Sequence, residues 1–125
     1  MIVDTDVLIW HLRGNARAAV ALDQAGHFSI SVVTFMELVA GTSSKSELVE
    51  LKGALAALGA AIAPVNEAIS DKAAFYVEQH FHAHGLRMAD ALIGATAVVG
   101  NVPLLTGNSK HYRMLSGLSL RRFRP

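Results

Sequence analysis

Short strand-like runs alternating with helical patterns constrain this chain more than any other feature. Residues 1–3 read as a buried strand, and the apolar run Val7-Leu8-Ile9-Trp10 reads as the start of a helix. Residues 27–33 alternate and are rich in β-branched side chains, which predicts a second strand. Residues 60–65 predict a third, at or near a sheet edge because Pro64 has no N–H to give to a ladder. Residues 103–106 predict a fourth strand, and 118–120 a last one. Between them lie helical patterns: 16–25, capped by Asn15, with Ala19, Val20 and Leu22 on the inner face, and 35–40 after a Thr34 cap. Further helices are expected at 47–58, with Leu48, Leu51, Leu55 and Leu58 on one stripe, at 66–84, at 88–99, and briefly at 110–115. The 88–99 pattern is apolar on nearly every side and belongs in the interior. Such alternation folds as a parallel sheet covered on both faces. The expectation is one α/β domain over residues 1–125: a three-layer α/β/α sandwich around a mostly parallel sheet of four to five strands.

Composition narrows the class. A hydrophobic content of 52% is high for 125 residues and predicts a covered apolar face, most simply in a homodimer. No apolar stretch reaches the ~18 residues that a membrane span needs. A strand at the first residue leaves no room for a leader, and there is no cysteine for disulfide or thiolate chemistry, so the expected setting is the cytoplasm. Net charge is only +1, but all ten acids lie at or before Asp90. After it come Lys110, Arg113, Arg121, Arg122 and Arg124, a basic end that suits a phosphate backbone.

The acids carry the chemistry. Asp4 follows the first strand, Glu37 lies early in the helix after the second, and Asp90 lies at the start of the apolar helix. Asn108 follows the strand ending at Thr106. Each is at a strand's carboxyl end or a helix's start, and in a parallel sheet those positions share one edge. Carboxylates gathered there repel one another unless a cation joins them; hard oxygen donors point to Mg²⁺ or Mn²⁺. Without a metal, at least one acid should keep its proton. The plainer alternatives are that Asp6 caps the first helix and that Glu37 completes a capping box with Thr34. His80 and His84, four apart near a helix end, have no evident third ligand.

Four blocks then stand in order: Ile2-Val3-Asp4-Thr5-Asp6-Val7-Leu8-Ile9, Ser31-Val32-Val33-Thr34-Phe35-Met36-Glu37-Leu38, Met88-Ala89-Asp90-Ala91-Leu92-Ile93-Gly94-Ala95 and Leu104-Leu105-Thr106-Gly107-Asn108. In these the chain resembles, over essentially its whole length, a PIN-domain ribonuclease of the VapC toxin type. The resemblance implies a metal-dependent endoribonuclease with Asp4, Glu37 and Asp90 as metal ligands. It implies support from Thr5 and Asp6, and a rim completed by Thr106 and Asn108. It further implies RNA as substrate and a VapB-like antitoxin that lays an apolar segment in a groove and often a basic side chain in the acid cleft. A homodimer, or a heterotetramer or larger assembly with the antitoxin, is the implied architecture. Two positions depart from the family pattern: Asp6 stands where many relatives have Asn, and Asn108 and His111 stand where many have a fourth acid. Asp4-Thr5-Asp6 also resembles the opening of haloacid-dehalogenase-type phosphatases. Leu8 stands where that pattern wants Thr or Val, and the later Lys and acid pair are missing. A phosphorelay receiver wants an acid after the third strand, where this chain has Pro64-Val65-Asn66. A catalytically weak binding module, acting through its partner, is the reading from a different class.

Overall fold

A computed structural model describes all residues, 1–125. Five strands form one sheet: β1 (Ile2–Val3), β2 (Ser29–Ser31), β3 (Ala61–Ala63), β4 (Leu104–Thr106) and β5 (Leu120–Arg122). Their spatial order is β3-β2-β1-β4-β5, and every pairing is parallel. Six helices connect them: α1 (Thr5–Leu12), α2 (Ala16–Ala25), α3 (Val32–Ala40), α4 (Lys45–Ala57), α5 (Glu67–His84) and α6 (Met88–Val99). The expected sandwich is therefore present, with a sheet that is wholly parallel.

Strand pleating divides the core in two. Successive side chains of a strand point to opposite faces. Ile2 and Leu104 accordingly join a cluster with Ile69, Tyr76 and Ile93, under α5 and α6. Val3 and Leu105 join Val7, Leu8, Leu22, Leu51 and Leu55, under α1, α2 and α4. Shifting either strand by one residue would exchange the two sets, so packing on both faces fixes the register. Truncating Leu104 or Leu8, both almost fully buried, to Ala should cost about 2–5 kcal/mol. Helix α6 approaches the 112–115 segment closely because Gly94 has no Cβ; one added there would come within 2.6 Å of Leu115 Cδ1.

Several local expectations are corrected. Helix α1 starts at Thr5, and its cap is Asp4, whose Oδ1 accepts the Thr5 N–H at 2.8 Å, not Asp6. The second strand ends at Ser31: the Ser31 hydroxyl accepts the Val33 N–H at 3.0 Å and opens α3 three residues before Thr34. Thr34 is thus inside the helix, and Thr34 and Glu37 form no capping box. Strand periodicity in 27–33 was overridden at Val32 and Val33 by that cap. On α2 the buried residues are Ala18 and Leu22, while Ala19 and Val20 face solvent. Helix α4 spans Lys45–Ala57, capped by Ser44. The expected helix at 110–115 is one 3₁₀ turn, Ser109–His111, and the last strand lies two residues later than expected. Pro64 does follow an edge strand, as its missing N–H requires.

Candidate active site

The chain builds β1, β2 and β3 outward on one side, then crosses to build β4 and β5 on the other. Side chains at the carboxyl ends of β1 and β4 therefore meet at the point where the strand order reverses, which is where open α/β sheets place their ligands. The register pairs Val3 with Leu105, so the next residues, Asp4 and Thr106, are brought together. The Thr106 hydroxyl donates to Asp4 Oδ2 at 2.8 Å, and both side chains are buried. That hydroxyl in turn accepts the Asn108 N–H at 2.9 Å, so Asn108 is tied to the site through its backbone. Asp6, one residue into α1 from Thr5, accepts the Gly107 N–H at 2.8 Å through Oδ2. A Cβ on Gly107 would lie 2.5 Å from that oxygen, so this close approach requires glycine.

Hydroxyl groups link the remaining acids to this pair. Thr5 Oγ1 donates to Glu37 Oε1 at 2.7 Å and lies 3.0 Å from the buried Thr34 hydroxyl. On the other flank, the Tyr112 hydroxyl donates to Asp90 Oδ1 at 3.3 Å. His111 Nδ1 stands 3.7 Å from Asp90 Oδ2. Thr5 thus links Glu37, through its hydroxyl, to Asp4, through its backbone N–H, while Asp90 is held separately by Tyr112. Neither Tyr112 nor Thr34 was expected in the site. Tyr112 belongs to no motif, and its place is set by the turn after β4 that folds back over α6. Thr34 was assigned to a cap that Ser31 provides.

Electrostatics mark Asp4 as the centre. Burial, and then the Asp6 charge, push its carboxyl up to about 7, against partial relief from its bonds to Thr106, Thr5 and Tyr112. Burial also raises Asp6, whose Oδ1 is enclosed without a hydrogen-bond partner. Tyr112 is held well above the usual phenol range by burial and by the Asp4 and Asp90 carboxyls. Titratable groups shifted this far recur at catalytic and metal sites.

The donors are all oxygens, which suits a hard divalent cation. No three acid or imidazole side chains close around one point to form a complete cage. The arrangement matches an ion held by one or two carboxylates with water filling its shell, as Mg²⁺ prefers. Such a charge would relieve both the depressed ionisation of Asp4 and the unpartnered oxygen of Asp6. His80 and His84 stack at 5.7 Å between ring centroids on α5 and form no part of a metal-holding group.

Comparison with known proteins gives the family. The PIN-domain family matches residues 1–115. Ribonuclease VapC10 of Mycobacterium tuberculosis is 33% identical over 124 residues, covering 94% of this chain and 90% of that protein. Ribonuclease VapC19 of the same organism is 32% identical over 122 residues, covering 94% and 95%. Among solved structures, a toxin–antitoxin complex from Klebsiella pneumoniae contains a chain that superposes with a TM-score of 0.76 at 26% identity, covering 94% of this chain and 93% of that one. A match over nearly the full length to ribonucleases of one type, on a fold that gathers acids at its crossover, establishes that this chain belongs to the PIN-domain family, among the VapC ribonucleases.

Proposed function

We propose that this protein is a divalent-metal-dependent endoribonuclease, the toxin half of a toxin–antitoxin pair, with Asp4 as its central acid. The observation that carries the reading is the buried Asp4 carboxyl, raised to about 7 beside Asp6 at the strand crossover, in a chain one-third identical to named ribonucleases. Asp4 and Asp90, with Glu37, are the residues that would hold Mg²⁺ or Mn²⁺. A bound ion of this kind lowers the pKa of a coordinated water and shields charge on the phosphate under attack.

The protein's own groups do the rest. Thr106 and the Thr5 N–H fix the two oxygens of Asp4, so the carboxylate is oriented before any ligand arrives. Tyr112 positions Asp90, and Thr5 positions Glu37. Asp6 sets the loop at Gly107 and adds negative charge next to Asp4, strengthening its demand for a cation. Asn108 completes the rim as a neutral oxygen donor where many relatives carry an acid. No Ser/His/Asp triad is needed, because the nucleophile is water.

A VapB-like antitoxin is the partner this reading calls for, since the Klebsiella relative was solved as a toxin–antitoxin complex. Exposed apolar side chains, among them Trp10, Phe75, Phe81 and Met88, supply surface for that partner or for a second copy in a homodimer or heterotetramer. The haloacid-dehalogenase alternative is set aside on the sequence, where Leu8 replaces the expected Thr or Val and the later Lys and acid pair are missing.

The test is incubation of antitoxin-free protein with total transfer RNA in Mn²⁺, with and without EDTA. Discrete fragments that vanish with EDTA, and with Asp4→Asn or Asp90→Asn, are expected. Normal metal-dependent cleavage by either variant would overturn the assignment.

A further inference from the structure

A pocket of 160 Å³ opens directly beside Asp90, bounded also by His84, Arg87, Lys110 and His111. It is built from three separate elements: the end of α5, the start of α6 and the 3₁₀ turn after β4. Four of those five side chains are basic types, although the chain as a whole carries a net charge of only +1. Arg87 occupies the cap position of α6, where a guanidinium, having donors only, cannot cap the free N–H groups. His111 Nδ1 lies 3.7 Å from Asp90 Oδ2, and neither Arg87 nor Lys110 has a carboxylate within 4 Å. The volume is well under the ~300 Å³ of a drug-sized ligand site, and suits one compact charged group.

We infer that this pocket binds a backbone phosphate of the RNA strand next to the one cleaved, with Arg87 and Lys110 as its principal contacts. The inference rests on the ribonuclease reading above and extends it. Asp90 is shared: one side of it faces the acid site and the other the cationic pocket. A strand whose scissile phosphate sits at the acids thus meets fixed positive charge one step along its backbone. Arg forks match phosphate oxygens geometrically, and Lys adds a point charge. Such contacts carry no base information; they fix the register of the strand, which decides which bond reaches the acids.

The test compares Arg87→Ala/Lys110→Ala with Lys52→Ala/Lys72→Ala, which removes the same charge from α4 and α5 away from the pocket. Each pair is made in the wild-type chain for cleavage of total transfer RNA. Each is also made in the Asp4→Asn chain for binding of a short fluorescein-labelled single-stranded RNA of mixed sequence across a salt series. Expected for the pocket pair are KM raised on the order of tenfold with kcat little changed, and a log K against log salt slope shallower by about 0.7. The control pair should show neither change. Unaltered KM and slope in the pocket pair, or equal changes in both pairs, would overturn the inference. So would an unaltered RNA response joined to weaker association with the antitoxin, which would assign the pocket to an acidic segment of that partner. If the wild type cuts no RNA while RNA binding still depends on Arg87 and Lys110, the pocket stands and the ribonuclease reading falls.

Discussion

Replacing Asp4 by asparagine should make the metal-free protein more stable at alkaline pH and less stable at acid pH. In the folded protein the carboxyl keeps its proton up to about 7; in the unfolded chain it loses it near the ordinary value of 3.8. Between those values the folded state holds more protons than the unfolded one, so stability falls as pH rises through the interval. At about 1.4 kcal/mol per pH unit over roughly three units, the ceiling on that loss is about 4 kcal/mol. Asparagine removes the buried charge. Its Oδ1 can still accept the Thr5 N–H, but an amide NH₂ now faces the Thr106 hydroxyl, which costs about 1 kcal/mol. The net expectation is a variant about 1 kcal/mol less stable near pH 4 and about 2–3 kcal/mol more stable near pH 8. At roughly 4 °C per kcal/mol for a chain of this size, the alkaline difference is a Tm increase of about 10 °C. Urea denaturation of both proteins in EDTA at the two pH values measures it. A variant less stable at both, or a difference that does not move with pH, would refute the claim that Asp4 is a buried charge awaiting a cation.

Other perturbations follow from the same geometry. Adding Mn²⁺ at pH 8 should raise the Tm of the wild type increasingly with concentration and leave Asp4→Asn nearly unmoved, as differential scanning fluorimetry would show. Tyr112→Phe removes the hydroxyl that positions Asp90; Mn²⁺ affinity should fall about 10–100-fold while urea stability changes by only about 1 kcal/mol. Gly107→Ala places a methyl against Asp6 Oδ2 and should destabilise by about 1–3 kcal/mol; an unchanged Tm would show that the loop moves freely away from Asp6.

The alternation of Ile2-Val3, Ile30 and Leu104-Leu105 with amphipathic helices was enough to predict a parallel sheet, because strands buried on both faces read as short apolar runs. Helices α2 and α6 were legible to the residue, α2 bounded by Asn15 and Gly26 and α6 ended by Gly100. Boundaries failed where one polar side chain outweighed a run of propensities. Ser31 begins a helix inside a β-branched stretch, and Asp4 takes the cap that Asp6 was given. The acids could be found from the sequence because each follows a recognisable strand or opens a recognisable helix. The hydroxyls that connect them could not: Thr34 and Tyr112 reach the site through tertiary packing across 29 and 22 residues from their partners Thr5 and Asp90. The basic pocket was half visible. The charge asymmetry after Asp90 pointed to a phosphate partner, but only the fold brings Lys110 beside Arg87.

Isothermal titration of Mn²⁺ into the purified, antitoxin-free protein, run in parallel with Asp90→Asn, tests the central claim most directly. Saturable binding in the wild type that is lost or greatly weakened in the variant is predicted, as the proposed role of Asp90 in holding the cation requires. Binding that survives Asp90→Asn unchanged, or no binding in either protein, would return these acids to helix capping and loop anchoring and contradict the metal site.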